Sequence, residues 1–169
     1  FAVAFNIVPV NEMVTWSGVA LGLIFLTLTG LFLVMDLDQP MRFVYVLLRP
    51  QWNSWLVKGG YSITIYGGLI TVYALAFFMG WDEIATYTLY ATALVSVIVA
   101  IYTAFLFAQA KGRDFWQSPT LAFHMLIHSF MAGAAAYGIL GSFMDLGDFA
   151  GVYTDLILKI AIFVNLFLV

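Results

Sequence analysis

The sequence predicts an all-α protein: a polytopic transmembrane helix bundle with four full spans plus a truncated fifth, part of a larger bundle. Three observations predict it. The chain is 64% hydrophobic and only 9% charged, with a mean hydropathy of +1.02, whereas a soluble domain carries roughly a quarter charged residues. Such a chain cannot cover a water-facing surface, so lipid is the solvent for much of it. The apolar residues also fall in runs of about 20 or more, long enough to cross ~30 Å as helices. Finally, apart from Lys58, Asp155 and Lys159 the charges fall in the short stretches between these runs, where a membrane protein holds them cheaply.

The elements follow in order. Residues 1–10 read as the tail of an earlier span, since they lack the basic start and cleavage site of a signal peptide. The chain opens at Phe1 without Met and stops at Val169 inside an apolar run. Residues 1–169 are therefore expected to form a single transmembrane bundle within a longer chain. The spans are expected at 14–35, 55–79, 84–108, 120–140 and 154–169. They are read as helices because hydrocarbon offers the backbone no hydrogen-bond partners. Met41–Leu48, bounded by Pro40 and Pro50, is too short to span and is expected at the membrane interface.

Charge sets the orientation. The loops at 36–58 and 109–119 carry Arg42, Arg49, Lys58, Lys111 and Arg113. The opposite side carries Glu12, Asp82, Glu83, Asp145, Asp148 and Asp155, while Lys159 lies inside the last apolar run. The positive-inside rule places the two basic loops in the cytoplasm. The start of the chain is then outside, which implies an odd number of upstream spans if the full protein starts inside. Trp52, Trp55 and Trp116 fall at the inner boundary, and Trp16 and Trp81 at the outer one, as an aromatic belt. Gly18 and Gly22, with Gly59, Gly60, Gly67, Gly68 and the 132–136 run, predict closely packed helices.

Few residues are suited to chemistry. The chain has no cysteine, which excludes a disulfide, an iron–sulfur cluster or a thiolate zinc site within it. No basic run points to nucleic acid. His124 and His128 are the only histidines, at i and i+4 on one helical face. Haem ligation by both is disfavoured, because axial ligands approach the ring from opposite sides. A proton-relay or quinone role, or satisfaction within helix packing, stays open for them. Tyr87 and Tyr90 open the third span beside Asp82 and Glu83, and Asn11, Glu12 and Trp16 lie at the same depth on a neighbouring span. A phenol there can donate to a quinone carbonyl; it can also serve as an interfacial anchor alone. Asp36 and Arg42 are expected to pair and fix a turn, with proton entry through Asp36 as the sharper alternative. The hydroxyls of Ser62, Thr64, Thr71, Thr86, Thr88, Thr92, Ser96 and Thr103 are expected to bond their own helices.

Three loop motifs occur in order. The first is Asp36-Leu37-Asp38-Gln39-Pro40-Met41-Arg42-Phe43. The second is Arg49-Pro50 followed by Ser54-Trp55. The third is Lys111-Gly112-Arg113-Asp114-Phe115-Trp116-Gln117-Ser118-Pro119. Together they resemble the NrfD/polysulfide reductase membrane-subunit (PsrC-like) family, which includes related subunits of alternative complex III. The motif residues Asp36, Pro40, Arg42, Ser54, Trp55, Lys111, Gly112, Trp116 and Pro119 are read as architectural. Asp38 and Gln39 depart from the family's Gly-Arg, and Lys58 stands where an apolar residue is usual. The family's first span, often the source of a quinone-site histidine, is absent or reduced to a stub here.

The resemblance implies a quinone-reactive membrane anchor in the prokaryotic cytoplasmic membrane. Its partners would be an iron–sulfur subunit and a molybdopterin catalytic subunit. Menaquinone or ubiquinone would be the substrate, with no redox cofactor or metal bound in this chain, and coupling of electron flow to proton translocation stays open. On that reading Tyr87, Tyr90, Glu12, Asn11 and Trp16 are the quinone candidates, and His124, His128 and Asp36 the proton-path candidates. The alternatives are a haem-b cytochrome anchor, which needs histidines on two facing helices, and a transporter or channel module, which the position of all four prolines outside mid-span disfavours.

Overall fold

A computed structural model describes residues 3–4, 11–35, 48–109, 118, 120–143 and 148–168. Of the residues singled out above, Asp36, Pro40, Arg42, Lys111, Gly112, Trp116 and Pro119 lie outside the described residues. Five long helices account for nearly all the rest: α1 (Glu12–Met35), α2 (Trp55–Phe78), α3 (Asp82–Ala108), α4 (Thr120–Phe143) and α5 (Asp148–Leu168). The first four are 24, 24, 27 and 24 residues long and apolar enough to cross a membrane. At 1.5 Å per residue even the 24-residue helices reach about 36 Å, more than the hydrocarbon thickness.

The helix boundaries fall within three residues of those expected, except at the fifth. There the helix begins at Asp148 rather than 154. Asp148 and Asp155 look like loop residues in a hydropathy reading. Asp155 is taken up inside the helix by Lys159 Nζ at 2.6 Å.

Consecutive helices run antiparallel. Along α1 and α2, Trp16 meets Phe77, Gly22 faces Ile70, and Leu26 faces Gly67, with one number rising as the other falls. Along α2 and α3, Gly59 receives the ring of Tyr102, and Trp55 stacks on Phe105 with centroids 4.5 Å apart. Along α4 and α5, Gly138 faces Thr154 and His128 meets Asn165. Helix α3 also packs on α4, joining the two pairs.

The α2–α3 turn shows how the sequence dictates the hairpin. The amide of Trp81 donates to Ala76 O at 2.9 Å and that of Gly80 to Phe77 O at 3.3 Å. This is the paired closure that ends a helix on a left-handed residue. Gly80 takes that position with φ of 70°, and Asp82 opens α3 two residues later.

One buried cluster lies toward the end where α1 and α3 begin, while Val57, Tyr102 and Ala104 are buried toward the other. Val19 of α1, Ile70, Tyr73 and Ala76 of α2, and Ala85 of α3 form the centre of the first, with Leu23, Tyr66, Ala74 and Leu89 around them. Lipid exerts no hydrophobic drive between helices, so close approach through Gly and Ala supplies the packing energy. The hydroxyls contribute little across helices. Ser62, Thr64, Thr71, Thr86, Thr88, Thr92 and Ser96 each donate to a carbonyl three or four residues back, at 2.6–2.9 Å. That is the arrangement expected for hydroxyls that have no water to bond.

Candidate functional site

Two ends of the bundle differ in chemistry. At the acidic end α1 and α3 begin with Glu12 and with Asp82 and Glu83, all exposed. At the opposite end lie Arg49 and Lys58. There Lys58 Nζ sits 4.3 Å from the centroid of the Trp55 ring, a cation–π contact that lets an ammonium occupy a place next to the membrane. Trp52 lies against Tyr61 at 5.1 Å. Trp55 also stacks on Phe105 of α3, so its ring is held from both sides at this end. Ser54 occupies the cap position of α2, but its side chain makes no capping bond. Gln109, at the end of α3, caps α2 instead. Its Oε1 accepts from the Trp55 amide at 3.3 Å, and its Nε2 donates to Asn53 O at 3.4 Å.

At the acidic end the five candidate residues fall into two patches. The first is on α1. Asn11 caps the helix: its Oδ1 accepts from the Met13 amide at 3.3 Å and its carbonyl from the Thr15 amide at 2.9 Å. Glu12 follows in the first turn, where its charge suits the helix dipole. Trp16 meets Phe77 and Phe78 edge-on, at 6.0 and 6.5 Å. The second patch is on α3. Tyr87 is 74% exposed and Tyr90 44%. Ala85 and Leu89 of the same helix point into the core with Val19. Tyr87 is about 200° around the helix from Ala85 at 100° per residue, which turns it away from α1. Among the described residues no hydrogen bond or ring contact joins Tyr87 or Tyr90 to Asn11, Glu12 or Trp16.

Where α4 meets α1 lies a polar cluster that single-sequence reading passed over. The Tyr137 hydroxyl of α4 reaches across to α1 and donates to Val14 O at 3.1 Å. Ser17 donates to the same carbonyl at 3.1 Å. Thr15, 4% exposed, is buried beside them, and among the described residues its Oγ1 has no hydrogen-bond partner. Tyr137, Val14, Leu140 and Tyr153 of α5 pack together there. The available clue was Tyr137 itself, a tyrosine interrupting a small-residue run at the depth of Gly18.

His124 and His128 project from one face of α4, with ring centroids 5.7 Å apart. His128 Nε2 is 3.2 Å from Asn165 Oδ1 of α5. Asn165 thus ties the histidine pair to a second helix, a role no pattern within α4 could reveal. Both histidines belong to the half of α4 nearer the basic end, with His128 nine residues, about 14 Å, along the helix from Tyr137.

Comparison with known proteins gives one match. A family model described as "Polysulphide reductase, NrfD" matches residues 4–168. No curated protein matches, and no solved structure matches.

Proposed function

Since the chain belongs to the NrfD polysulphide reductase family, whose members are membrane subunits of reductase complexes, we propose that it is the quinone-reactive anchor of a multi-subunit respiratory oxidoreductase. It exchanges electrons between the quinone pool and an iron–sulfur partner subunit, with a molybdopterin subunit completing the complex. The quinone, menaquinone or ubiquinone, is substrate rather than a resident group. Its head group approaches the acidic end of the bundle.

One observation carries this reading. A quinone carbonyl needs a hydrogen-bond donor it can reach in an apolar setting; most serine and threonine hydroxyls in mid-span are already spent on their own helices, and Tyr66, Tyr73 and Tyr102 are buried or half-buried among the helices. The hydroxyls of Tyr87, Tyr90 and Thr15 make no bond to any described residue, and all three lie near the acidic end. Exposed Tyr87 and Tyr90 are open to a ligand arriving through lipid, with Trp16, Asn11 and Glu12 lining the same depth on α1. Proton transfer is assigned to the protein: His124 and His128 at the other half of α4, and Asp36. Tethering of His128 by Asn165 fits a relay that needs a fixed ring orientation. The basic ends face the cytoplasm on this reading, in the inner membrane of a prokaryote.

The test is quinone turnover by the purified complex carrying Tyr87→Phe and Tyr90→Phe together. Loss of a hydrogen bond worth about 1.4 kcal/mol to the bound head group lowers turnover at limiting quinone about tenfold. Unchanged turnover, with the partner subunits retained, removes the site from these tyrosines.

A further inference from the structure

Helix α1 lies against α2 from its acidic end to just past its middle. The contacts run from Trp16 on Phe77, through Gly22 on Ile70, to Leu26 on Gly67. Past Leu26 the helix stands clear. Leu28, Leu31, Phe32 and Met35 are exposed, and a Cβ on Gly30 would meet nothing within 4 Å. An open cavity of about 440 Å³ lies there, lined by Thr29, Phe32, Leu33 and Met35 of α1 and by Tyr102 of α3. Thr29 spends its hydroxyl on Phe25 O at 2.8 Å, so the α1 wall offers hydrocarbon. The cavity begins at the last turn of α1 and reaches about 9 Å deeper, to Thr29. Tyr102, six residues from the end of α3, is also about 9 Å from the basic end.

A cation without an anion stands next to this cavity. The residue after Lys58 is Gly59, which receives the Tyr102 ring. The Trp55 ring beneath the Lys58 ammonium stacks on Phe105, one turn from Tyr102. Lys58 is the fourth residue of α2, about 5 Å from the helix start. Only one side of its ammonium meets Trp55. Neither Lys58 nor Arg49 makes an ion pair with a described residue. No described residue at this end is acidic: Glu12, Asp82 and Glu83 lie at the other end, and Asp155 is taken by Lys159. An unneutralised ammonium is costly this close to hydrocarbon, and the headgroup layer one turn away can supply the missing anion. Trp52 and Tyr61, 5.1 Å apart, mark that layer at this end.

We propose that the cavity and Lys58 together form a binding site for one anionic phospholipid. Its phosphate accepts from the Lys58 ammonium, with Arg49 adding charge at the same end, and one acyl chain runs along Phe32, Leu33 and Tyr102. Volume selects an acyl chain over a protein helix. A helix is about 10 Å across with its side chains, and two turns of it need roughly twice this space. Charge selects the headgroup. A zwitterionic lipid brings its own cation to its phosphate, whereas an anionic one leaves the phosphate for the lysine. This inference does not depend on quinone chemistry.

Photo-crosslinking tests it, on the full-length chain in its assembled complex in bilayers. The probes are phosphatidylglycerol and phosphatidylcholine, each with a diazirine high on one acyl chain. Phosphatidylglycerol is expected to label the 29–35 segment severalfold more than phosphatidylcholine does. Lys58→Gln should abolish that preference, and Lys58→Arg should keep it. Leu33→Trp, which fills the cavity, should cut labelling by phosphatidylglycerol severalfold with the partner subunits retained. Inorganic phosphate in excess should not compete. Equal labelling by the two lipids overturns the proposal. A preference that survives Lys58→Gln also overturns it, leaving the lysine to a carboxylate of the adjoining loops. Displacement by inorganic phosphate would make the site one for a free anion and overturn the lipid.

Discussion

The hydroxyl of Tyr137 occupies the space directly above the Cα of Gly18, where a Cβ would collide with it, and from there donates to Val14 O at 3.1 Å. The fourth helix is thus pinned to the first at the acidic end, and Gly18 is small because the tyrosine is there. Gly18→Ala must displace the hydroxyl and is expected to cost about 1–3 kcal/mol as an overpacked contact. Tyr137→Phe loses one hydrogen bond, about 0.5–1.5 kcal/mol. The two changes should not add. The next atom, Tyr137 Cζ, lies 3.7 Å from the added Cβ, an ordinary contact. Gly18→Ala should therefore be milder in the Tyr137→Phe background, a coupling readable from detergent unfolding of the four proteins.

Gly59 and Tyr102 give the opposite expectation from a similar contact. Tyr102 is 4% exposed, and a Cβ on Gly59 would meet ring atoms Cδ2 and Cε2, not the hydroxyl. Removing the hydroxyl leaves those atoms in place. Gly59→Ala should then destabilise the α2–α3 hairpin by about 1–3 kcal/mol, and Tyr102→Phe should not relieve it. Tyr102→Leu, which removes the ring edge, should relieve part of the clash while losing aromatic packing. Unfolding midpoints of the single and double variants decide between a ring-edge clash and a hydroxyl clash.

The sequence made the spans legible because helix length and hydropathy are local properties. Four helices start and end within three residues of where composition places them, and the hydroxyl back-bonding follows from the lack of other partners in lipid. Glycine-rich packing was also readable, since Gly59 and Gly67 do meet Tyr102 and Leu26. The contacts that join helices distant in sequence were not. Tyr137 finds Val14 from 123 positions away, and His128 finds Asn165 from 37. No periodicity within one helix encodes such a meeting. Placing Tyr87 and Trp16 at one depth was likewise a one-dimensional inference. Depth follows from counting residues, but which way each helix is rotated follows from packing, and packing turns Tyr87 away from α1. The start of α5 was missed because Asp155 resembles a loop residue until Lys159, four positions on, is counted as its partner.

The capping of α2 separates two neighbouring residues that sequence motifs treat alike. A serine at the cap position ordinarily contributes about 1 kcal/mol through its side chain. Ser54 makes no such bond, and Gln109 serves the Trp55 amide from another helix. Ser54→Ala is therefore expected to shift stability by only a few tenths of a kcal/mol, well below the ordinary cap. Gln109→Leu abandons both the Trp55 amide and the Asn53 carbonyl at the end of a membrane helix. At 3.3 and 3.4 Å both bonds are long, so their joint loss should cost about 1 kcal/mol rather than two full bonds. Gln109→Glu keeps an acceptor for the Trp55 amide, adds a favourable charge at the start of α2, and loses only the donor to Asn53. It should fall between wild type and Gln109→Leu. The order Ser54→Ala, Gln109→Glu, Gln109→Leu in detergent unfolding, with amide exchange at Trp55 accelerating only in the last, is the expected result. A loss in Ser54→Ala equal to that in Gln109→Leu would return the cap to the serine.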